Sequence, residues 1–140
     1  MLHIKNKKAF TMIELVFVIV ILGILASVAI PKFSASRDDA TIAKGRSNVA
    51  SIRSGIITER QARLIKGDND FITTANLDSG GLFGGVLMYP ITASTGRDGW
   101  SGGNGTYTFK VAGSSNTFKY TPADGKFVCT AGAECAKLTK

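Results

Sequence analysis

One stretch limits what this chain can become. From Phe10 to Pro31 there are 22 residues and a single charge, Glu14. At about 1.5 Å rise per residue such a run makes a helix of roughly 33 Å, which matches the ~30 Å hydrocarbon core of a bilayer. His3, Lys5, Lys7 and Lys8 stand before it, and lysines flanking an apolar helix favour the cytoplasmic side. A chain of mixed polarity follows. The order reads as a basic leader (residues 1–9), a membrane-length apolar half-helix (10–31) and an exported globular part (32–140).

Hydropathy does not account for Glu14. A carboxylate at the centre of a membrane helix costs up to ~3 kcal/mol, so such a residue usually has a partner and a purpose. A cut between Ala9 and Phe10 creates an α-amino group four residues from Glu14. Within one helix the two groups are near neighbours. Between two axially staggered helices, one chain's amine meets another chain's Glu14 and both buried charges are neutralised. Setting register is the best-attested use of a buried polar pair.

The run Lys7-Lys8-Ala9-Phe10-Thr11-Met12-Ile13-Glu14-Leu15, continued by Val16-Phe17-Val18-Ile19-Val20-Ile21-Leu22-Gly23 and on to Pro31, resembles the leader and first helix of a type IV pilin or pseudopilin. The resemblance covers roughly residues 5–35, about a quarter of the chain. It implies removal of a short basic leader after Ala9 by a prepilin peptidase, N-methylation of Phe10, an assembly role for Glu14 and a helix bend near Pro31. It also implies residence in the bacterial inner membrane as a single pass with a cytoplasmic N-terminus. An inner-membrane assembly platform then builds copies into a helical homopolymer, an extracellular or periplasmic filament. One residue departs from the family pattern: Ala9 stands where glycine is usual before the cut, and processing is expected to survive that small change.

A conventional secretory signal or signal anchor accounts for the same amphiphilic N-terminus. Ser27-Val28-Ala29 offers a small-residue cleavage site, with a mature start near Ile30. That reading leaves Glu14 without a role.

The net charge of +7 is unevenly placed. Residues 32–66 hold eight Lys/Arg against three Asp/Glu, whereas residues 67–140 hold six of each. A basic stripe on the second half of the long helix can attract nucleic acid or anionic lipid headgroups. It reads equally as a solvated face, or as one neutralised by acidic groups on neighbouring subunits. Cys129 and Cys135 are the two cysteines. An even count in an exported chain suggests a disulfide closing a small loop, and type IV pilins are similar in carrying a C-terminal disulfide loop. The pair has no histidine nearby and lacks the C-x-x-C spacing, which argues against a metal or redox site.

Phe10 to about Lys66 is expected to form one helix, kinked at Pro31, where proline removes a backbone donor and crowds the preceding turn. Ile42, Val49, Ile52, Ile56, Ile57, Leu64 and Ile65 recur at helical spacings and form an apolar face. Lys44, Arg46, Arg53, Arg60 and Arg63 lie between them, and Gly67 is a stop. Turns are expected at 67–70 and 78–81, with Phe71, Ile72 and Leu77 touching the core. Leu82 to Ile91 is read as a short strand or turn, and Arg97 to Gly105 as a flexible loop anchored by Trp100. Alternation then predicts three strands, Thr106–Val111, Thr117–Pro122 and Lys126–Thr130, with turns at Ala112–Asn116 and Ala123–Gly125. The fold class is α+β: a long N-terminal helix packed on a small antiparallel sheet, pilin-like.

Catalytic equipment is lacking. The single histidine, His3, lies in the leader, so the mature chain has no imidazole for a nucleophile pair or a zinc site. No phosphate-binding glycine fingerprint is present. Asp68-x-Asp70 begins like a calcium loop, but Ile72 takes the next ligand position. No cofactor is expected; a looser calcium site at Asp98 or Asp124 is the weak alternative. The Asn104-Gly105-Thr106 sequon is accounted for by chance. The chain reads as a structural filament subunit serving adhesion, motility or DNA uptake, with a type II secretion pseudopilin as the alternative. A non-polymerising secreted or anchored binding module is the further alternative.

Overall fold

A computed structural model describes residues 9–140; the rest of the leader, with His3, Lys5, Lys7 and Lys8, lies outside the described residues. Helix α1 runs Met12–Ile65 and continues through Pro31. After it come α2 (Thr74–Leu77), β1 (Gly99–Gly103), β2 (Thr106–Val111), β3 (Ser114–Thr121), β4 (Lys126–Ala131) and α3 (Cys135–Leu138). The chain divides into two compact units, Met1–Arg37 and Asp38–Lys140.

In the first unit the large apolar side chains from Phe10 to Phe33 are exposed. Among the described residues, α1 is the helix long and apolar enough to cross a membrane. Water is a poor solvent for such a surface, so this unit is built for lipid or for other helices.

The second unit is α+β, with α1 from Asp38 onward packed on a four-stranded antiparallel meander of order β1-β2-β3-β4. Ile42, Val49, Ile52 and Ile56 are its buried large residues on α1, spaced seven, three and four apart, which places them on one stripe. Ile57, Leu64 and Ile65, expected on that face, are 57%, 44% and 88% exposed. Ile57 is turned about 100° from Ile56, and no α1 residue past Ile56 is buried. Gly45 is buried in the stripe because Phe109 and Leu138 occupy the space of a side chain; a Cβ there would stand 2.7 Å from Leu138 Cδ2.

On the sheet, alternation puts Tyr107, Phe109 and Val111 of β2 and Phe118 and Tyr120 of β3 on the buried face. The expected flexible loop around Trp100 is instead strand β1, and the sheet has four strands rather than three. Gly-Trp-Ser-Gly-Gly shows no alternation of its own; it is a strand because it pairs with β2, Trp100 opposite Phe109. Trp100 is 1% exposed and its ring lies 4.9 Å from Phe109, 5.1 Å from Phe118 and 5.5 Å from Phe83. It is a core residue.

The β2–β3 turn is also tighter than the expected Ala112–Asn116. Val111 pairs with Ser114, leaving Ala112 and Gly113 as a two-residue loop with φ of 51° and 82°. Positive φ at both positions is the hairpin geometry whose twist matches the flanking strands. Asn104 and Gly105 repeat it between β1 and β2, with φ of 59° and 89°. Asn116, read as part of a turn, is buried; its Nδ2 donates to Phe109 O at 3.2 Å and its Oδ1 accepts from Glu134 N at 2.9 Å.

Ile72 and Leu77 are buried and Phe71 packs against the core, as expected. The helical turn α2 between them escaped the sequence reading; Thr73 caps it, its side chain accepting from Asn76 N at 3.3 Å. Between Leu82 and Ile91 the strand expectation reduces to a single antiparallel bridge.

Candidate functional site

The start of α1 is built from two residues. Thr11 N–H donates to Glu14 Oε2 at 2.9 Å, and Glu14 N–H donates to Thr11 Oγ1 at 3.3 Å. This reciprocal arrangement is a capping box: it satisfies two amides that have no partner inside the helix. Leu15 N–H closes the first turn on Thr11 O at 3.2 Å. The signal was open in the sequence as Thr-x-x-Glu ahead of an apolar run, and the hydropathy argument passed over it. Glu14 thus has a local partner before any second chain is considered. Its carboxylate is held at the helix start, four residues after Phe10 and five after Ala9, and the side chains of Ala9, Phe10, Thr11 and Glu14 are all exposed.

At the other end of the chain, Cys129 and Cys135 form a disulfide with a Cα–Cα distance of 5.6 Å. It ties β4 to α3 and brings Leu138, fully buried, under α1. Arg46 Nε donates to Lys137 O at 2.8 Å and Arg53 Nε to Phe127 O at 3.0 Å. Arg60 lies 4.1 Å over the Phe71 ring, and Arg63 bridges Glu59 and Asp68, each at 3.2 Å. Arg46, Arg53, Arg60 and Arg63 thus also tie α1 to the segments that follow it. Glu134 raises the Lys137 ammonium's pKa through a 2.8 Å ion pair.

Asp78 is a polar hub the sequence reading missed. Its carboxylate accepts from Tyr107 OH at 2.9 Å, Asn104 N at 2.9 Å and Phe83 N at 3.2 Å, joining the turn after α2 to the β1–β2 hairpin. Burial, and then Asp78 itself, push the Tyr107 phenol well above the ordinary tyrosine range. Burial likewise raises Tyr120, whose hydroxyl donates to Ile72 O at 2.8 Å.

The weak calcium candidates are separate and engaged elsewhere. Asp98 Oδ1 accepts from Ala112 N at 2.7 Å. Asp124 pairs with Lys126 at 3.0 Å, and hydrogen bonds from the Lys126 side chain and backbone hold its carboxyl below the usual range. Among the described residues no group of three His, Cys, Asp or Glu is placed to hold a metal.

Residues 4–30, which take in the Thr11–Glu14 cap and most of the exposed apolar run, match the family model described as the prokaryotic N-terminal methylation motif. The chain is 32% identical over 112 residues to the type IV narrow pilus major component PilA5 of Thermus thermophilus, covering 79% of this chain and 84% of that protein. The chain belongs to the type IV pilin family. No solved structure matches it.

Proposed function

We propose that this chain is a structural subunit, without enzymatic activity, of an extended type IV pilus. The observation that carries the reading is the first unit itself: an exposed apolar helix whose one acidic group is presented at its start. Prepilin peptidase cuts between Ala9 and Phe10 and methylates Phe10. The subunit waits in the inner membrane as a single pass, and the assembly platform then draws its helix into a bundle. There the Phe10 amine of one copy neutralises Glu14 of another, removing two charges that are costly in an apolar core. Pro31 is the point at which the helix bends as the apolar half packs among its neighbours. A pilus is favoured over a secretion pseudopilus because the relative is a pilus major component and because the C-terminal segment is closed by a disulfide. No metal is required.

The intact mass and N-terminal peptide of the protein from its own cells test this. A chain beginning at methylated Phe10 is the expected result; a start near Ile30 discards the assembly helix and ends the reading. Binding of nucleic acid by the basic helix face is a secondary reading, supported by charge alone. It requires affinity that drops steeply with salt.

A further inference from the structure

Beside the buried Gly45–Val49 stripe, α1 carries a polar strip that the sheet does not cover. Lys44 and Asn48 stand four residues apart and share one face of the helix. Across from them runs the segment from Ile91 to Gly99, and the cavity between measures ≈ 520 Å³. Its lining includes Trp100 and Phe109, both buried. That volume falls in the ~300–1,000 Å³ range of small-molecule sites, which join an apolar floor to a few convergent polar groups.

The wall facing α1 is fixed in advance. Ser94 N–H donates to Trp100 O at 2.7 Å, Ser94 Oγ to Asp98 O at 2.6 Å, and Gly96 N–H to Ser94 Oγ at 3.2 Å. Gly99, at a φ of 114°, lets the wall turn this tightly: a Cβ there would stand 2.8 Å from Ser94 Cβ. An ordered wall spares a ligand the entropy of ordering it.

The polar groups at the cavity are unspent. Among the described residues Lys44 has no ion pair, and the side chains of Asn48, Thr92 and Thr95 have no hydrogen bond. Trp100 Nε1–H is buried without an acceptor. The rings packed on the indole are Phe83, Phe109, Phe118 and Phe127, and none carries an oxygen. Native proteins seldom leave such a donor unsatisfied. Asp98, the carboxylate on the lining, already accepts from Ala112 N at 2.7 Å. The cavity therefore offers an ammonium, an indole donor, an amide and hydroxyls, a set suited to an anion rather than a cation.

We propose that this cavity binds a hydroxylated carboxylic acid of monosaccharide size, a sugar acid. The carboxylate pairs with Lys44, another oxygen accepts from Trp100 Nε1–H, and the hydroxyls exchange hydrogen bonds with Asn48, Thr92 and Thr95. The basic excess of residues 32–66 draws the anion in. This site goes beyond the filament reading and does not depend on it.

Trp100 is the single tryptophan, so the isotope-labelled full chain in non-ionic detergent gives one indole resonance in a nitrogen–proton correlation spectrum. Titration with D-glucuronate and D-galacturonate is expected to move that resonance saturably, while D-glucose leaves it in place. Lys44→Gln should weaken binding about tenfold, the loss of one charge-assisted hydrogen bond. Lys119→Gln, at an exposed site on β3, should bind as the parent does. Spectra of the unliganded variants that superpose on the parent's, apart from the substituted site, establish that the fold is kept. No shift with either acid at tens of millimolar overturns the proposal, as does equal binding of D-glucose or an unweakened Lys44→Gln. Trigalacturonate distinguishes the sources of the acid: binding as tight as the monomer's upholds the site as one for a polysaccharide end, and exclusion of the trimer upholds it as one for the free acid.

Discussion

Alkaline pH should unfold the globular unit, with Tyr107 and Tyr120 as the cause. Both phenols are held above their ordinary pKa, Tyr107 by burial and Asp78, Tyr120 by burial. The unfolded chain releases these protons near pH 10, while the folded chain keeps them to higher pH. Above about pH 10 the native state therefore binds more protons than the unfolded state, and stability must fall as pH rises. Tyr107 contributes a slope approaching ~1.4 kcal/mol per pH unit, and Tyr120 adds to it in the same direction. The unit spans Asp38–Lys140, and for a domain near that size ~1 kcal/mol moves the midpoint by about 4–8 °C. For Tyr107 alone the expected drop is roughly 5–10 °C for one pH unit above the onset.

The assay is thermal melting of the detergent-solubilised subunit from pH 8 to 11.5, followed by near-ultraviolet circular dichroism of the buried Trp100. Tyr107→Phe separates the phenol from the exposed lysines that titrate in the same range. At neutral pH this variant starts lower, by the ~1.5–3 kcal/mol of a hydrogen bond to a carboxylate. It then declines less steeply, by about 1.4 kcal/mol per unit, so its curve converges on the parent's. A variant curve that runs parallel to the parent's through pH 11 refutes the reasoning.

Other outcomes follow from the same structure. Glu14→Ala is expected to leave the protein stable in the membrane and abolish filaments; normal filaments by electron microscopy would remove Glu14 from assembly. Replacing Cys129 and Cys135 together by serine should cost about 2 kcal/mol from lost loop closure, seen as a lowered unfolding midpoint that reduced parent protein reproduces. Gly45→Ala gains about 1 kcal/mol in helix propensity but drives a methyl into Phe109 and Leu138, an overpacking cost of ~1–3 kcal/mol. A net loss is expected, partly relieved by Leu138→Ala in a double-mutant cycle of denaturant melts.

Where the sequence was informative, a single periodicity dominated. The 22-residue apolar run, the Ile42/Val49/Ile52/Ile56 stripe and the alternation of β2 and β3 each carry a signal that local physics writes directly. Strand β1 was illegible because three of its five residues are glycine, and its conformation is dictated by the partner strand. Ser114 to Asn116 was read as turn from composition, yet the turn is completed by Ala112 and Gly113. The Asp78 hub was beyond sequence reasoning for another reason: its partners Asn104 and Tyr107 lie 26 and 29 residues away. The Thr11–Glu14 cap was legible and overlooked, since attention to the cost of a membrane carboxylate hid the simpler service that it renders to its own helix.

The sheet topology carries a consequence for the order of events during biogenesis. In the meander β1-β2-β3-β4 every strand pairs with the one made just before it, and two of the three turns need only two residues. Such pairing has low loop-closure cost and can proceed hairpin by hairpin as the chain emerges. The contacts that join this sheet to α1 span far greater distances along the chain, 74 residues between Arg53 and Phe127 of β4. The helix is therefore synthesised first and finished last. Its apolar stripe stays uncovered until the sheet has formed, and its Gly45 end until Leu138 locks beneath it.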